Sequence, residues 1–332
     1  MKLVMNRRTF VQLGATAMAL GAGALPVRAQ SAFPDGPIDI IVPFSVGGGT
    51  DIWVRQLAIA MSKSDSLGVP VNVVNIPGAK SLRGTGEAAL ADPDGYKLAA
   101  FNPPSTPWAW YLSKPPFDIR KFAGLSVYVR EPGILVAHPD AGISDLDGVK
   151  KAYASGDQKV IASLAKGTLW HIAALLLQKR VGVDWKTYVS YKGTADVVAS
   201  ILRQEVEVGI LTASSALDGV RDGKIKPIAI IGATERISSY PDVPTLKELG
   251  VDPLEVCVLR RAVFAPAGIP EDRRMVLEKA LIAAQGSPEL KKQYEALGLP
   301  PALGGGAEAD KAIADSLAVA DEIDLKSIVS KK

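Results

Sequence analysis

The sequence predicts an α/β protein with parallel sheets flanked by helices. Three observations lead to this fold class. Short apolar, β-branched runs alternate with segments of helical periodicity along most of the chain after residue 30. Small and hydroxyl-bearing residues fill the loops after these runs, where α/β sheets bind ligands. The 332 residues suffice for two domains, and the runs form two groups, before and after about residue 130.

The first 29 residues predict a secretory signal peptide. Lys2, Arg7 and Arg8 form a positive start, residues 14–25 are apolar and rich in small residues, and residues 27–29 offer a cleavage site near Ala29. The Arg7–Arg8 pair favours the twin-arginine export route, with an ordinary Sec leader as the alternative. The sequence therefore predicts a periplasmic protein.

Charge and composition exclude several function classes. The leader carries four basic residues and no acid, so the formal charge of +3 becomes −1 once it is removed. No block of lysine and arginine with interleaved aromatic residues remains to bind nucleic acid. After the leader, no apolar stretch reaches the length of about 18 residues that a membrane-spanning helix needs.

The first strand, loop and helix predict an anion site. Residues 38–42 indicate a strand buried on both faces, and a helix with Thr50 or Asp51 as its N-cap follows the glycine turn. Glycines let a backbone approach a ligand, and a helix start carries partial positive charge. A tight connection without a ligand is the alternative. The candidate contacts are Phe44, Ser45, Val46, Gly47, Gly48, Gly49, Thr50 and Asp51.

The same unit recurs along the chain. Further strands are predicted at residues 71–76, 97–101, 133–137, 159–164, 186–190, 207–211, 226–231 and 256–264. Residues 102–110, with three prolines and two tryptophans, are predicted to be a loop. Beyond Pro266 the chain is predicted to be helical. Loops after the strands supply further candidate contacts, namely Lys80, Ser105, Lys166, Gly167, Thr168 and Thr212.

The sequence contains little that indicates an enzyme or a metal site. His138 is predicted to stabilise a turn, and His171, near a helix start, either helps to bind an anion or caps the turn. Cys257, the single cysteine, lies in an apolar run and is predicted to be buried and inert, not a nucleophile. Neither a G-x-S-x-G elbow nor an H-E-x-x-H motif is present. No cofactor is predicted.

Seven segments carry a family resemblance that spans nearly the whole chain after the leader. They are FPDGPIDIIVPFSVGGGTD, VVNIPGA, ALADPDGYKLA, LVAHPDAGISDL, YKGTADVVASIL, GKIKPIAIIGATERISSYPDVPTLKELG and VFAPAGIPED. In this order they resemble the Bug/TctC family, the periplasmic solute-binding proteins of tripartite tricarboxylate transporters.

The resemblance implies a two-lobed type II periplasmic-binding-protein fold, or Venus flytrap, that closes over a small carboxylate. Lobe 1 is expected at residues 31–131 and 258–332, and lobe 2 at residues 132–257. The expected partners are transporter membrane subunits, and the protein is expected to be a monomer. The family pattern places ligand contacts on the glycine loop and on lobe-2 loops, which here carry Lys166, Gly167, Thr168, His171, Thr194 and Ala195.

The chain departs from the family pattern at several loops. Val46 stands where the family usually has proline, and Lys80 and Ser81 stand in a normally glycine-rich loop. Lys166 and Trp170 are also unusual. Two interpretations stay open for Trp108, Trp110 and Trp170. They pack beneath the loops, or Trp108 or Trp170 stacks on an aromatic acid while a lysine meets its carboxylate.

Three functions compete at this stage. Capture of a small carboxylate, aromatic or dicarboxylic, for a membrane transporter is the leading prediction. The same fold can instead present its ligand to a membrane receptor of a two-component system. An enzyme acting on a carboxylic acid is the third.

Overall fold

The computed structural model describes residues 33–63 and 67–330. The predicted leader and its cleavage site lie outside the described residues. From Gly36 onward the chain forms one compact unit. In the described part of the chain, no helix is long and apolar enough to span a membrane.

The described residues form eleven strands, most of them five residues long. In chain order they are β1 (Ile38–Val42), β2 (Val71–Asn75), β3 (Lys97–Phe101), β4 (Ala123–Glu131), β5 (Gly133–Ala137), β6 (Val160–Leu164), β7 (Thr187–Tyr191), β8 (Val208–Thr212), β9 (Lys226–Ile231), β10 (Leu259–Ala265) and β11 (Gly304–Gly305).

Eleven α-helices are described with them, and four short 3-10 helices join the loops. The α-helices are α1 (Gly49–Ser62), α2 (Leu82–Ala89), α3 (Ser105–Ser113), α4 (Leu146–Ser155), α5 (Leu169–Val181), α6 (Thr194–Leu202), α7 (Ala213–Arg221), α8 (Glu271–Gln285), α9 (Pro288–Ala296), α10 (Gly306–Glu322) and α11 (Leu325–Ser330). The 3-10 helices are Ala79–Ser81, Ile119–Lys121, Pro139–Ala141 and Glu255–Cys257.

The strands make two mixed sheets, with the orders β11-β4-β10-β3-β1-β2 and β7-β6-β8-β5-β9. In the first sheet β1 pairs in parallel with β2 and β3, and in the second β6 pairs in parallel with β7 and β8. The chain crosses between the sheets after β4 and returns before β10. Each strand that arrives from the other sheet, β5 or β10, runs antiparallel to both neighbours. The predicted α/β fold is confirmed, but the sheets are mixed and not mostly parallel as predicted, because each takes in a strand from the other sheet that runs antiparallel to its neighbours.

Apolar packing explains why these runs become strands. Ile38, Ile40 and Val42 of β1 are fully buried, since β1 lies between two strands and helices cover the sheet. Phe101 of β3 and Phe264 of β10 stack with their ring centroids 4.0 Å apart. This stack fixes the returning strand against the parallel half of the first sheet.

Three segments differ from the prediction. Residues 105–113 form α3 where a loop is predicted, because Pro103 and Pro104 precede the helix and Pro107 lies in its first turn, where no backbone N–H is needed. The strand predicted from residue 256 begins at Leu259, after the 3-10 helix Glu255–Cys257. The long strand β4 is missing from the prediction, although Val127, Tyr128 and Val129 are typical strand residues.

Two single-residue predictions are confirmed. His138 caps the 3-10 helix Pro139–Ala141, with its Nδ1 accepting a hydrogen bond from Asp140 N at 3.1 Å. Cys257 is a buried free thiol. Burial raises the pKa of the Cys257 thiol, so it stays protonated and unreactive.

Candidate functional site

A cavity of about 570 Å³ lies between the two sheets, and we call it the inter-sheet cavity. Loops and helix starts from both sheets form its wall. Seven of the residues predicted from the sequence line it: Phe44, Gly49, Thr50, Ser105, Thr168, Thr194 and Thr212. The predicted clustering of loops that follow strands therefore holds for these residues.

Five helices begin at this wall. Gly49, Ser105 and Thr194 are the first residues of α1, α3 and α6, while Thr168 and Thr212 directly precede α5 and α7. The first N–H groups of a helix lack intrahelical partners and carry partial positive charge. Among the described residues lining the cavity none is acidic, and two, Lys192 and Arg261, are basic. The wall therefore favours an anion.

Asp51 closes the glycine loop from within. Its Oδ2 accepts hydrogen bonds from Gly47 N at 2.8 Å and Arg55 Nε at 3.0 Å, and its Oδ1 accepts one from Asn75 Nδ2 at 2.8 Å. Burial by itself raises the pKa of the Asp51 carboxyl, but the hydrogen bonds from Arg55, Gly47 and Asn75 outweigh it and lower the pKa. The Asp51 carboxylate thus binds groups of the protein itself and not a ligand. The predicted N-cap, Thr50 or Asp51, is wrong, since Gly48 occupies that position.

The three glycines of the loop differ in backbone conformation and surroundings. Gly47 has a φ of +77°, which other residues rarely adopt. Gly48 is extended, with φ −73° and ψ 161°. A Cβ on Gly49 would lie 3.1 Å from Nη2 of Arg261. Of the three, Gly49 lies at the cavity wall, so the close backbone approach predicted for the triplet is limited to its last member.

The remaining predicted residues are not part of the wall that the described residues form. Val46 is 72% exposed. Lys80 reaches across to the loop after β6, where its Nζ donates to Lys166 O at 2.8 Å beside Gly167. Ala195 lines a separate depression on the outside of α6 and α7. The residues outside the wall are Ser45, Val46, Gly47, Gly48, Asp51, Lys80, Lys166, Gly167, His171 and Ala195.

His171 is buried in the first turns of α5 and supports the loop before it. Its Nδ1 accepts a hydrogen bond from Gly167 N at 3.3 Å, and its ring lies 5.1 Å from that of Tyr188. Burial, followed by the charges of Lys166 and Lys80, lowers the pKa of His171 to about 4. A neutral acceptor that fixes the loop fits the turn-capping interpretation.

The tryptophans divide between the two interpretations. Trp108 is fully buried and its indole N–H donates to Ser316 O at 2.8 Å, while the Trp110 indole N–H donates to Phe117 O at 2.6 Å. Both pack within the protein. Trp170 borders the inter-sheet cavity, but it is only 2% exposed and packs against Gly133 at the start of β5.

Sequence analysis missed Arg261 and Asn102. Arg261 lies in β10, is 8% exposed, and donates from Nη1 to Glu131 Oε2 at 2.7 Å. Asn102 donates from Nδ2 to Thr50 Oγ1 at 2.8 Å, and its Oδ1 has no hydrogen-bond partner among the described residues. For Arg261 the sequence did offer a signal, an arginine inside an apolar strand. A charged side chain buried there needs a partner, which marks the position as one to explain.

Metal binding finds no support in the described residues, which contain no group of three or more His, Cys, Asp or Glu placed to hold an ion. The acid-free wall of the cavity, with its two basic residues, favours an anion.

Comparison with known proteins agrees with this geometry. The TctC family model, described as a tripartite tricarboxylate transporter family receptor, matches residues 53–327. Protein BugT of Bordetella pertussis is 31% identical over 299 residues, which cover 89% of this chain and 90% of BugT.

Solved structures are similar over almost the same length. One, described as a periplasmic transporter, has a TM-score of 0.77 and 27% identity, and the match covers 89% of this chain and 98% of the other. MatC from Rhodopseudomonas palustris, solved with bound malate, has a TM-score of 0.72 and 26% identity over 90% of this chain and 100% of its own. These similarities confirm the predicted two-lobed α/β fold.

Proposed function

The chain belongs to the TctC family of tripartite tricarboxylate transporter receptors, and from this premise we propose that it captures a small organic carboxylate in the inter-sheet cavity and delivers it to a membrane transporter of that type. Receptors bind and release their ligand without changing it, and the predicted absence of enzymatic activity is confirmed by the family.

One observation carries the proposal: five helix N-termini meet at a cavity whose described wall holds two basic residues and no acid. Partial positive charges at helix starts stabilise an anion, most strongly where water is excluded. The hydroxyls of Thr50 and Thr212 can donate to carboxylate oxygens, as can free backbone N–H groups at the start of α1. The Thr168 hydroxyl already donates to Ala165 O at 2.6 Å. The proposed contacts thus come from both sheets.

The apolar part of the wall bears on the kind of carboxylate. Phe44, Leu164, Trp170 and Leu259 face the same space as the hydroxyls. An organic acid with a hydrocarbon or aromatic body would bury that body against these side chains while its carboxylate meets the helix starts. MatC, which shares the fold, holds malate, so compact dicarboxylates belong in the same test.

We place the protein in the periplasm, with residues 1–29 removed. The hinge lies where the chain crosses between the sheets, which gives lobe 1 as residues 31–131 and 258–332 and lobe 2 as residues 132–257. A ligand that contacts helix starts from both sheets favours closure of the lobes. One similar solved protein is described as a periplasmic transporter, which supports this localisation.

The first prediction tests ligand class. The chain without residues 1–29 is titrated by calorimetry and thermal shift with malate, adipate and benzoate, and with malamide, adipamide and benzamide as uncharged counterparts. We expect at least one acid to bind and to raise Tm, because it binds only the folded state, and its amide to bind at least about tenfold more weakly. Equal binding of an acid and its amide, or binding of none of the acids, would contradict a carboxylate receptor.

A further inference from the structure

We propose that Arg261 receives the ligand's carboxylate through its unpaired guanidinium N–H groups and that Glu131 positions it for this role. The inference rests on the proposed function and names the residue that makes the site selective for a carboxylate over an uncharged analogue.

The fold brings Arg261 to the meeting point of the two sheets. It lies in β10, the strand that returns from the second sheet, and β10 pairs with β4, whose last residue is Glu131. Arg261 lines the inter-sheet cavity beside Gly49, the first residue of α1. An anion bound at the start of α1 would therefore lie within reach of the guanidinium.

The hydrogen bonds of Arg261 are incomplete. A guanidinium has five N–H donors. Nη1 donates to Glu131 Oε2 at 2.7 Å, whereas the buried Nε has no hydrogen-bond partner among the described residues. A buried donor left unpaired is unfavourable. A carboxylate is the partner that matches the planar donor fork of arginine, because two of its N–H groups can bind both carboxylate oxygens.

Glu131 is held from both sides. It is 1% exposed, its Oε2 accepts from Arg261, and its Oε1 accepts from Ser214 N at 3.3 Å and from the Ser214 hydroxyl. Ser214 lies in the first turn of α7, which flanks the second sheet. Glu131 thus fixes Nη1, and Nη2, which lies beside Gly49 at the cavity wall, is the group left to meet a ligand. Glu131 is a positioning residue, since it is not part of the cavity wall.

Gly49 leaves the space that this arrangement needs. A Cβ at this position would lie 3.1 Å from Nη2 of Arg261, so a larger residue would displace the guanidinium. Gly49 matters here because it has no side chain that would contact Arg261, and not because its backbone conformation is unusual.

The test measures the preference for each acid over its amide, using the three pairs named above. Arg261→Met combined with Glu131→Gln removes both charges together, so that neither is left buried without a partner. We expect the acid-to-amide affinity ratio to fall by about tenfold to a hundredfold, the range for losing one charge-assisted hydrogen-bonded contact. A merely structural role would weaken acid and amide alike and leave the ratio unchanged.

Arg260→Met is the matched control. Arg260 is the neighbouring arginine of β10, and it lines a different surface depression, beside Glu255 and Asp315. This variant should keep the wild-type ratio.

Arg261→Lys covers the case in which the double variant does not fold. It keeps the positive charge opposite Glu131 but lacks the planar fork, so the ratio should still fall several-fold. A wild-type ratio in either folded Arg261 variant overturns the role of Arg261 while the proposed function stands. If none of the acids binds the wild-type chain, the proposed function fails and the role of Arg261 fails with it.

Discussion

The two walls of the inter-sheet cavity are held together by different chemistry. On the first-sheet side, the Asp51 carboxylate binds Gly47, Arg55 and Asn75 and so fixes the glycine loop. On the second-sheet side, a chain of hydroxyls links Thr212 through Ser215 to Thr194. A carboxylate with charged and amide donors has one favourable arrangement, whereas hydroxyls rotate and exchange partners.

This difference assigns two tasks of a binding site, holding its shape and adapting to its ligand, to different walls. On the first-sheet side the glycine loop is complete without a ligand, because the Asp51 carboxylate already has its partners, while the guanidinium of Arg261 keeps N–H groups for a ligand. The second wall holds donors that can turn from one another toward a ligand. We infer that the first wall sets the shape of the cavity and that the second adapts to the ligand that occupies it. The predictions below test this contrast.

Removing the carboxylate of Asp51 should have the largest effect. Asp51→Ala leaves the Gly47 N–H, Arg55 and Asn75 without their shared acceptor, and bonds to a charged group are worth about 1.5–3 kcal/mol each. We expect the free energy of unfolding to fall by about 3–5 kcal/mol. Affinity should fall for every acid alike, since the loop as a whole loses its shape. Urea unfolding and calorimetry measure the two quantities.

Asp315→Ala is the control for Asp51→Ala. Asp315 makes an exposed ion pair with Lys311 within α10, and such pairs contribute little. Both stability and affinity should stay near wild type. An Asp51→Ala protein as stable as the wild type would mean that the loop keeps its shape without the carboxylate.

The next prediction concerns His171, behind the second-sheet wall. Its pKa is lowered to about 4 in the folded protein from an ordinary value of 6.5. The unfolded chain therefore binds more protons between these two values, so stability is lost as pH falls from about 6.5 to about 4. The slope from this one group is at most about 1.4 kcal/mol per pH unit. Urea unfolding across this range should show a shallower pH dependence for His171→Gln than for the wild type.

His138→Gln serves as the comparison for His171→Gln. His138 follows β5 and caps a short 3-10 helix. It is the other histidine of the sequence, so the two variants together show which position sets the wild-type slope. If His171→Gln keeps that slope, His171 is not held neutral and the loop before α5 is less tightly supported than its contacts indicate.

Features of the fold and site that depend on neighbouring residues could be predicted from the sequence, and those that depend on residues far apart in the chain could not. The strand Ile38–Val42, the glycine turn and the helix after it are local patterns, and they were predicted from neighbouring residues. Arg261 and Glu131 are 130 positions apart in the chain. Their pairing depends on how β4 and β10 meet, which no local period encodes.

The same distinction explains the site residues. Thr168 and Thr212 were found because a helix start after a strand is a local signal, whereas Thr194 was named through the family resemblance. The structural use of Asp51 was not found, because a carboxylate that closes its own loop and one that faces a ligand have the same sequence pattern. The long-range partner Asn75 decides between them.

The smallest expected effect is at the second wall. Thr212→Val removes the hydroxyl that lies 2.6 Å from Ser215 Oγ, but Ser215 keeps Thr194 Oγ1 at 2.8 Å as a partner. The free energy of unfolding should therefore fall by about 1 kcal/mol or less. Affinity should change unequally among malate, adipate and benzoate, since an adaptable wall meets each acid with a different set of hydroxyls. Calorimetry on the three acids, with Thr187→Val on the exposed edge strand β7 as control, measures this spread. A uniform loss across the acids, as large as that of Asp51→Ala, would show that the second wall is as fixed as the first.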